Sequence, residues 1–252
     1  MSSEQAMREA AKEAGVVVPL RFEEVTESTN STAMKLAYEG AEEWTLVVAG
    51  HQTGGRGRLG RTWISEPGQA LLFSVVLRPE LDAAQSGLMT LLAGAAMAEA
   101  ARVSCAVKVT CKWPNDLMVG DGKTGGILAE SAASDGRLDH VVLGVGMNVG
   151  RAPADVPGAA SLSGGDPSVL LSAFLWCFKH LYHPTDPDFA PKTIDACRAV
   201  SATIGRKVRA QTLDGRAIEG VAIDLDERGN LLVDSSGTQE TVGFGEIAHL
   251  DP

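Results

Sequence analysis

Cysteine, basic charge and long apolar runs are all scarce in this chain, and each shortage closes off a class of protein. There are four cysteines in 252 residues, Cys105, Cys111, Cys177 and Cys197. They show neither close pairing nor zinc-ligand spacing, so they read as reduced thiols filling core in a cytoplasmic protein. Lys and Arg number 22 against 32 Asp and Glu, a net charge of −10. A general nucleic-acid binder needs a broad basic surface, which this balance argues against. No apolar run is read as approaching the ~18 residues of a membrane span, so no membrane partner is expected. The first residues, with Glu4, Arg8, Glu9, Lys12 and Glu13, are too charged for a signal peptide. About twenty residues precede the first expected strand, roughly a third of what a small DNA-binding domain takes, so neither that domain nor a DNA partner is expected. The hydrophobic share of 44% supports one sizeable core and a small second domain.

Against this acidic background one stretch stands apart. Gly54 to Trp63 puts three arginines and four glycines into ten residues. Apolar runs flank it, Leu46 to Ala49 and Ala70 to Leu77, each reading as a buried strand. The basic segment is then a loop between strands. Glycine lets backbone approach a ligand closely, and arginine grips phosphate or carboxylate with a planar fork of donors. A mobile loop folding over an anionic ligand, a solvated surface loop and an RNA-touching segment are the three readings open for it.

The rest of the chain predicts helices over 4–14, 31–38, 82–102, 168–182 and 188–200. Strands are expected at 21–25, 45–50, 70–77, 107–113, 117–119, 125–130 and 140–149. A Gly-Asp-Gly turn at 120–122 signals a hairpin, and Asp166 is placed to cap the fourth helix. Strands joined by hairpins point to a mixed, largely antiparallel sheet flanked by helices, an α+β fold. From Thr203 the texture changes to short strands, 207–213, 217–224, 231–233 and 240–244, with turns at Asp214-Gly215, 228–230 and 236–237. That spacing makes a small barrel, so the chain divides into residues 1–201 and 202–252.

The polar islands sit at strand ends and turns: Ser28-Thr29-Asn30, Gln52, the arginine loop, Lys112 to Asp116, Lys123 to Gly126, and Asn148. Ser28 to Asn30 reads either as a plain helix cap or as a ligand-holding group. Trp63 and Trp113 read alone as core aromatics, Asn148 as a strand-end backbone partner, and His51 as a surface or packing residue. Together, Arg56, Arg58, Arg61, Lys112 and Lys123 suit chemistry in which two anions must meet, such as a carboxylate attacking the α-phosphorus of a nucleotide. Asp116 would then hold a cation or help bind magnesium.

On Ser-Thr-Asn at 28–30, Gln52 to Arg61, Lys-Trp-Pro-Asn-Asp at 112–116, Lys123 with Gly-Gly-Ile-Leu-Ala-Glu at 125–130, and Gly-Val-Gly-Met-Asn at 144–148, the chain resembles the biotin–protein ligases over nearly its whole length. The resemblance implies a class II synthetase-like catalytic sheet with an SH3-like carboxyl-terminal barrel, and the monofunctional type without a DNA-binding domain. It implies two half-reactions: biotin and ATP give biotinyl-5′-adenylate and pyrophosphate, then a lysine of a biotin carboxyl carrier domain of a carboxylase takes the biotin and AMP leaves. Lys123 and Arg58 would be the catalytic cations. Ser28, Thr29, Asn30, Gln52, Gly55, Arg56, Gly57, Arg58, Lys123 and Gly126 would bind biotin. Arg58, Arg61, Trp63, Lys112, Asn115, Asp116, Lys123 and Asn148 would bind the nucleotide. Magnesium would arrive with ATP near Asp116, no metal being fixed in the protein. The family's sheet is able to pair edge to edge in a homodimer, and the residues leave the oligomeric state open. Two departures stand out: Thr124 and Gly125 replace a bulky apolar residue and alanine, and no arginine stands near Leu250. The rivals are a lipoate–protein ligase or octanoyltransferase, a module that only holds biotinyl-adenylate, and an RNA binder.

Overall fold

The structure, a computed structural model, describes residues 2–16, 19–212, 215–243 and 245–250. Among the described residues five α-helices are formed: α1 Ser3–Glu13, α2 Thr29–Tyr38, α3 Gly87–Cys105, α4 Pro167–Leu181 and α5 Phe189–Val200. Seven strands build the large sheet: β1 Leu20–Thr26, β2 Leu46–Gln52, β3 Ala70–Leu77, β4 Thr110–Lys112, β5 Asp116–Val119, β6 Gly122–Ser134 and β7 Arg137–Asn148. Their order is β1-β2-β3-β7-β6-β5-β4. Among the described residues only β1 and β2 run parallel in this sheet; every other strand pair is antiparallel, as the hairpin-rich sequence predicts.

Side-chain alternation along the strands divides the core between the two sheet faces. Leu46, Val48, Leu71, Phe73 and Val75 face α3 and α4 in the main core, where Phe73 meets Phe174 edge-on at 5.1 Å. Val47, Val76 and Val142 face the other way and pack under Ala33 and Ala37 of α2. Every residue of β3 is buried, so this central strand is apolar on both faces except at Ser74. Asp166 caps α4, its Oδ1 accepting from the Ser168 amide at 2.8 Å. At the far end of α2 the Arg78 guanidinium donates to the carbonyl of Ala37 and, beyond the helix, to that of Ala41, at 3.0 and 2.9 Å.

The remaining strands, β8 Lys207–Gln211, β9 Ala217–Leu225, β10 Leu231–Ser235, β11 Thr238–Val242 and β12 Glu246–His249, form an antiparallel sheet in the order β11-β10-β9-β8-β12. Trp113 fastens the two sheets together. It is buried, its amide donates to Thr203 Oγ1 and its indole to the Gly229 carbonyl, both at 3.0 Å.

Several expectations are corrected. The strand predicted over 107–113 shrinks to β4, at the sheet's edge. β6 runs on to Ser134 through a Ser-Ala-Ala-Ser stretch with no apolar alternation, because β7 pairs along it up to the Asp135-Gly136 turn. β12 carried no periodic signal and forms by pairing with β8. The predicted strand ends at Leu213 and Phe244, and Asp214 of the predicted turn, lie outside the described residues. The helical stretch Ala83–Cys105 does reach the length and apolarity of a membrane span, contrary to the sequence reading; 72% of its apolar window is buried inside this protein, as a core helix.

Candidate active site

The cleft opens on the sheet face that carries α2. Its floor is β7, where Gly144 and Gly146 point the same way as Val142. A side chain at either place has no room. A Cβ on Gly144 would stand 1.9 Å from Asn30 Oδ1, and one on Gly146 would stand 2.7 Å from the Trp63 indole. The cleft's empty volume is about 1070 Å³, including open solvent at its mouth.

One end is polar and uncharged. Ser28 takes the N-cap position of α2 in extended backbone, yet its side chain makes no capping bond. Gln52 does that work from the end of β2: its Oε1 accepts from the Thr29 amide at 2.7 Å and hydroxyl at 3.1 Å. Gln52 is thereby oriented with its amide nitrogen free to turn elsewhere. Asn30 is committed to the protein. Its Nδ2 donates to the Leu128 carbonyl at 3.2 Å and to Glu130 at 2.9 Å, and its Oδ1 accepts from Ser74 Oγ at 2.6 Å.

The arginine loop is folded as a narrow hairpin flap. Trp63 N donates to Gly55 O at 2.9 Å, Arg56 bridges Thr62, and Gly57 N donates to Arg61 O at 2.7 Å. Leu59 and Gly60 turn the tip at φ of 55° and 74°, the left-handed region. Gly55 is buried at the stem, where a Cβ would meet the Trp63 carbonyl at 2.5 Å. Trp63 lies over Gly146, its indole nitrogen buried without a partner.

The cations converge here, and three are matched with carboxylates. Arg56 pairs with Glu130, Arg61 with Glu246, and Lys123 Nζ with Asp116 Oδ1 at 2.5 Å. Arg58 reaches the Asn115 Oδ1 at 3.3 Å and the Gly245 carbonyl at 3.2 Å, so the flap touches the start of β12. Burial, then neighbouring Arg61, pulls the Arg58 guanidinium below its usual value, while Asp116 pushes it up; a guanidinium stays charged under such shifts. Lys112 lines the same cleft.

Lys123 is held by its backbone. Its amide donates to Gly158 O and its carbonyl accepts from Ala160 N, both at 2.8 Å. Asn148 anchors the same loop, donating from Nδ2 to Ala160 O at 3.0 Å. Its Oδ1 is buried with no partner, in a residue only 2% exposed, and an orphan acceptor of that kind calls for a donor. Gly125 lies opposite Met147 on β7, where a Cβ would stand 2.6 Å from Sδ, so the departure from alanine there is matched by a bulky neighbour.

Fourteen of the sixteen sequence-predicted site residues thus line one cleft: Ser28, Thr29, Asn30, Gln52, Arg56, Gly57, Arg58, Arg61, Trp63, Lys112, Asn115, Asp116, Lys123 and Gly126. Gly55 lies in the flap stem and Asn148 beneath the Gly158–Ala160 loop, both off the lining. Sequence reasoning missed Glu130, Glu246, Ser74 and the two floor glycines. The glycine spacing at 144 and 146 was a usable sign of a cleared strand face; the glutamates carried none, because their partners lie 74 and 185 positions away.

The chain matches the biotin/lipoate A/B protein ligase family over residues 22–148 and the biotin protein ligase C-terminal domain over residues 203–250. It is 34% identical to the biotin–[acetyl-CoA-carboxylase] ligase of Mycobacterium tuberculosis over 239 residues, 89% of this chain and 86% of that one. It is 35% identical to a bifunctional ligase/repressor of Bacillus subtilis over 86% of this chain and 70% of that one. Its fold is that of the biotin protein ligase of Aquifex aeolicus solved with biotin and ATP, with a TM-score of 0.73 at 23% identity over 92% of this chain and 99% of that one. A cleft ringed by cations, both family regions matched in order, and relatives of this identity place the chain in the biotin/lipoate A/B protein ligase family.

Proposed function

We propose that this chain joins biotin to a lysine of a biotin carboxyl carrier domain at the expense of ATP, through biotinyl-5′-adenylate. The observation that carries the reading is the shape of the charge in the cleft: five cations around one end and a neutral hydrogen-bonding end at Ser28, Thr29 and Gln52. A molecule with an acid at one tip and a ureido ring at the other fits that polarity. A lipoyl or octanoyl chain offers nothing to the polar end, which favours biotin over the lipoate–protein ligase or octanoyltransferase reading.

Gln52 donates from Nε2 to the ureido carbonyl, since its oxygen is spent on Thr29. The Trp63 face and the floor glycines take the apolar part of the ligand. Lys123 and Arg58 sit between the biotin carboxylate and the α-phosphate. They neutralise two like charges that must approach, and their fixed positions stabilise the charge that grows on phosphorus. No general base is needed for carboxylate attack, and His51 has no role. Arg56, Gly55 and Gly57 close the flap over the carboxylate; Arg61, Lys112 and Asn115 take the phosphates. Asn148 Oδ1 accepts from a donor on the base, such as an exocyclic amine. Asp116 fits a magnesium ion that arrives with the nucleotide, because magnesium uses one or two carboxylates plus phosphate oxygens; among the described residues no group of three metal-ligating side chains stands ready to hold a resident metal. The ion would supply further charge neutralisation.

The same proposal includes a division at residue 202 into a catalytic part and an SH3-like part, and a cytoplasmic location. The deciding experiment is ATP–pyrophosphate exchange with biotin, lipoate or octanoate supplied separately. Exchange with biotin is expected. Exchange with lipoate alone would overturn the substrate, and exchange with none of them the reaction.

A further inference from the structure

Ser74 is the single polar residue of β3, and it is buried completely. It shares a strand face with Val76, the face under α2, and lies opposite Gly144 of β7. It does not line the cleft. Its Oγ stands 2.6 Å from Asn30 Oδ1 and 2.8 Å from Thr29 Oγ1, and Thr29 Oγ1 stands 3.1 Å from Gln52 Oε1. These three contacts join four oxygens but hold only two protons, one on each hydroxyl.

The surroundings decide where the two protons go. Asn30 Nδ2 faces the Leu128 carbonyl and the Glu130 carboxylate. A carbonyl only accepts, so this amide cannot be turned over, and Oδ1 must face Ser74. Oδ1 has no proton to give. Ser74 therefore donates to it, across the shortest of the three contacts. Gln52 is fixed in the same way, because its Oε1 accepts from the Thr29 amide at 2.7 Å. Ser74 Oγ and Gln52 Oε1 then have no proton to offer Thr29, and the Thr29 hydroxyl donates to both. Its proton points into the protein. What Thr29 shows to the cleft it lines is a lone pair.

We infer that Ser74 is a positioning residue for ligand choice: it holds the Thr29 proton inward and so makes Thr29 Oγ1 an acceptor in the cleft. Beside it, Gln52 Nε2 is a donor. Together they select a ligand edge that carries N–H next to C=O and disfavour one that carries an acceptor in place of that N–H. The inference rests on the function proposed above for taking this edge to be one side of a ureido ring. It adds that the selection depends on a residue the ligand does not reach. Without the Ser74 hydroxyl, Thr29 loses the nearer of its two acceptors. The hydroxyl is then able to rotate, donate outward and accept the wrong edge.

The test is calorimetric titration of biotin and of its two cyclic carbamates, each with one ureido N–H replaced by a ring oxygen, into the full chain, wild type against Ser74→Ala. Wild type is expected to bind biotin and to reject at least one carbamate by about 100-fold or more. In Ser74→Ala that preference should shrink to about tenfold or less, chiefly because the carbamate binds better. A merely structural role would weaken all three ligands in proportion and leave the preference where it was; that result would overturn the inference. So would a wild type that binds biotin and both carbamates alike. Should Ser74→Ala fail to fold, Ser74→Cys fills the same space with a weaker donor, and its preference should fall between the two. A wild type that binds no biotin would instead defeat the proposed function, and this inference with it.

Discussion

Gly144→Ala is the substitution whose effect follows most directly from the geometry. The new methyl would stand 1.9 Å from Asn30 Oδ1 and 2.7 Å from its Cγ. Ordinary contact begins near ~3.5 Å, so the amide must retreat by about 1.5 Å. Asn30 has no room to do so and keep its bonds to Ser74, Leu128 and Glu130. At 4% exposure no water replaces them. Three hydrogen bonds at ~1 kcal/mol each amount to about 3 kcal/mol. Against a net stability of ~5–15 kcal/mol for a domain, the protein stays folded at 25 °C with a lower urea midpoint and an unchanged slope. Displacing Asn30 also moves the first turn of α2, so biotin affinity should fall by about tenfold or more. The control is Gly146→Ala, whose methyl meets the Trp63 indole at 2.7 Å. Trp63 rides on the flap and can yield, so stability should change by less than ~1 kcal/mol while ligand retention suffers. A Gly144→Ala variant within ~0.5 kcal/mol of wild type would refute the claim that Asn30 is fixed.

Three further outcomes are expected. Lys123→Ala should lower the rate of ATP–pyrophosphate exchange by about 100-fold or more with an unchanged circular dichroism spectrum; normal exchange would remove Lys123 from the chemistry. Arg56→Ala and Arg58→Ala should hasten escape of the adenylate about tenfold, read by filter retention of labelled adenylate, and unchanged escape in both would count against a closing flap. His140 is buried beneath α2, its Nε2 3.3 Å from Met34 Sδ, and burial, then Arg78, lowers its pKa from 6.5 while Asp139 opposes. The folded state thus prefers neutral imidazole. That stabilisation is present above pH ~6.5 and is lost as pH falls through this value toward the folded one. His140→Phe should flatten this part of the urea-midpoint profile, and an identical profile would show that the ring titrates freely.

What could be read in the sequence is what short-range pattern encodes. β3 was legible to the residue because both its faces are covered and its run is apolar at every position but Ser74. The helices α4 and α5 were legible from spacing and from Asp166. The large sheet's antiparallel character followed from its hairpins. The site's cations were legible as a set because each stands in a polar island at a strand end. What was not legible depends on long-range partners. Ser28 looked like a cap, and its neighbour's amide is capped instead by Gln52, across 23 positions. Asn30 looked like a ligand group, and the fold spends its whole amide on β3 and β6. β12 has four residues and no periodicity, so only its pairing with β8 defines it. The apolarity of α3 could not by itself tell a helix inside a protein from one inside a bilayer.

The matched charges of the cleft have a consequence for how binding responds to its medium. Arg56, Arg61 and Lys123 each begin with a carboxylate of the chain itself, in pairs that are part-exposed and individually weak. An incoming anion therefore exchanges one partner for another instead of shedding a cloud of small ions. Ligand affinity should accordingly fall only gently with added salt, unlike the steep loss when a bare basic surface meets a polyanion. The displaced acids stay beside the cations they have left, ready to reclaim them when product departs. The chain thus carries its own counter-ions, and emptying the cleft resets it.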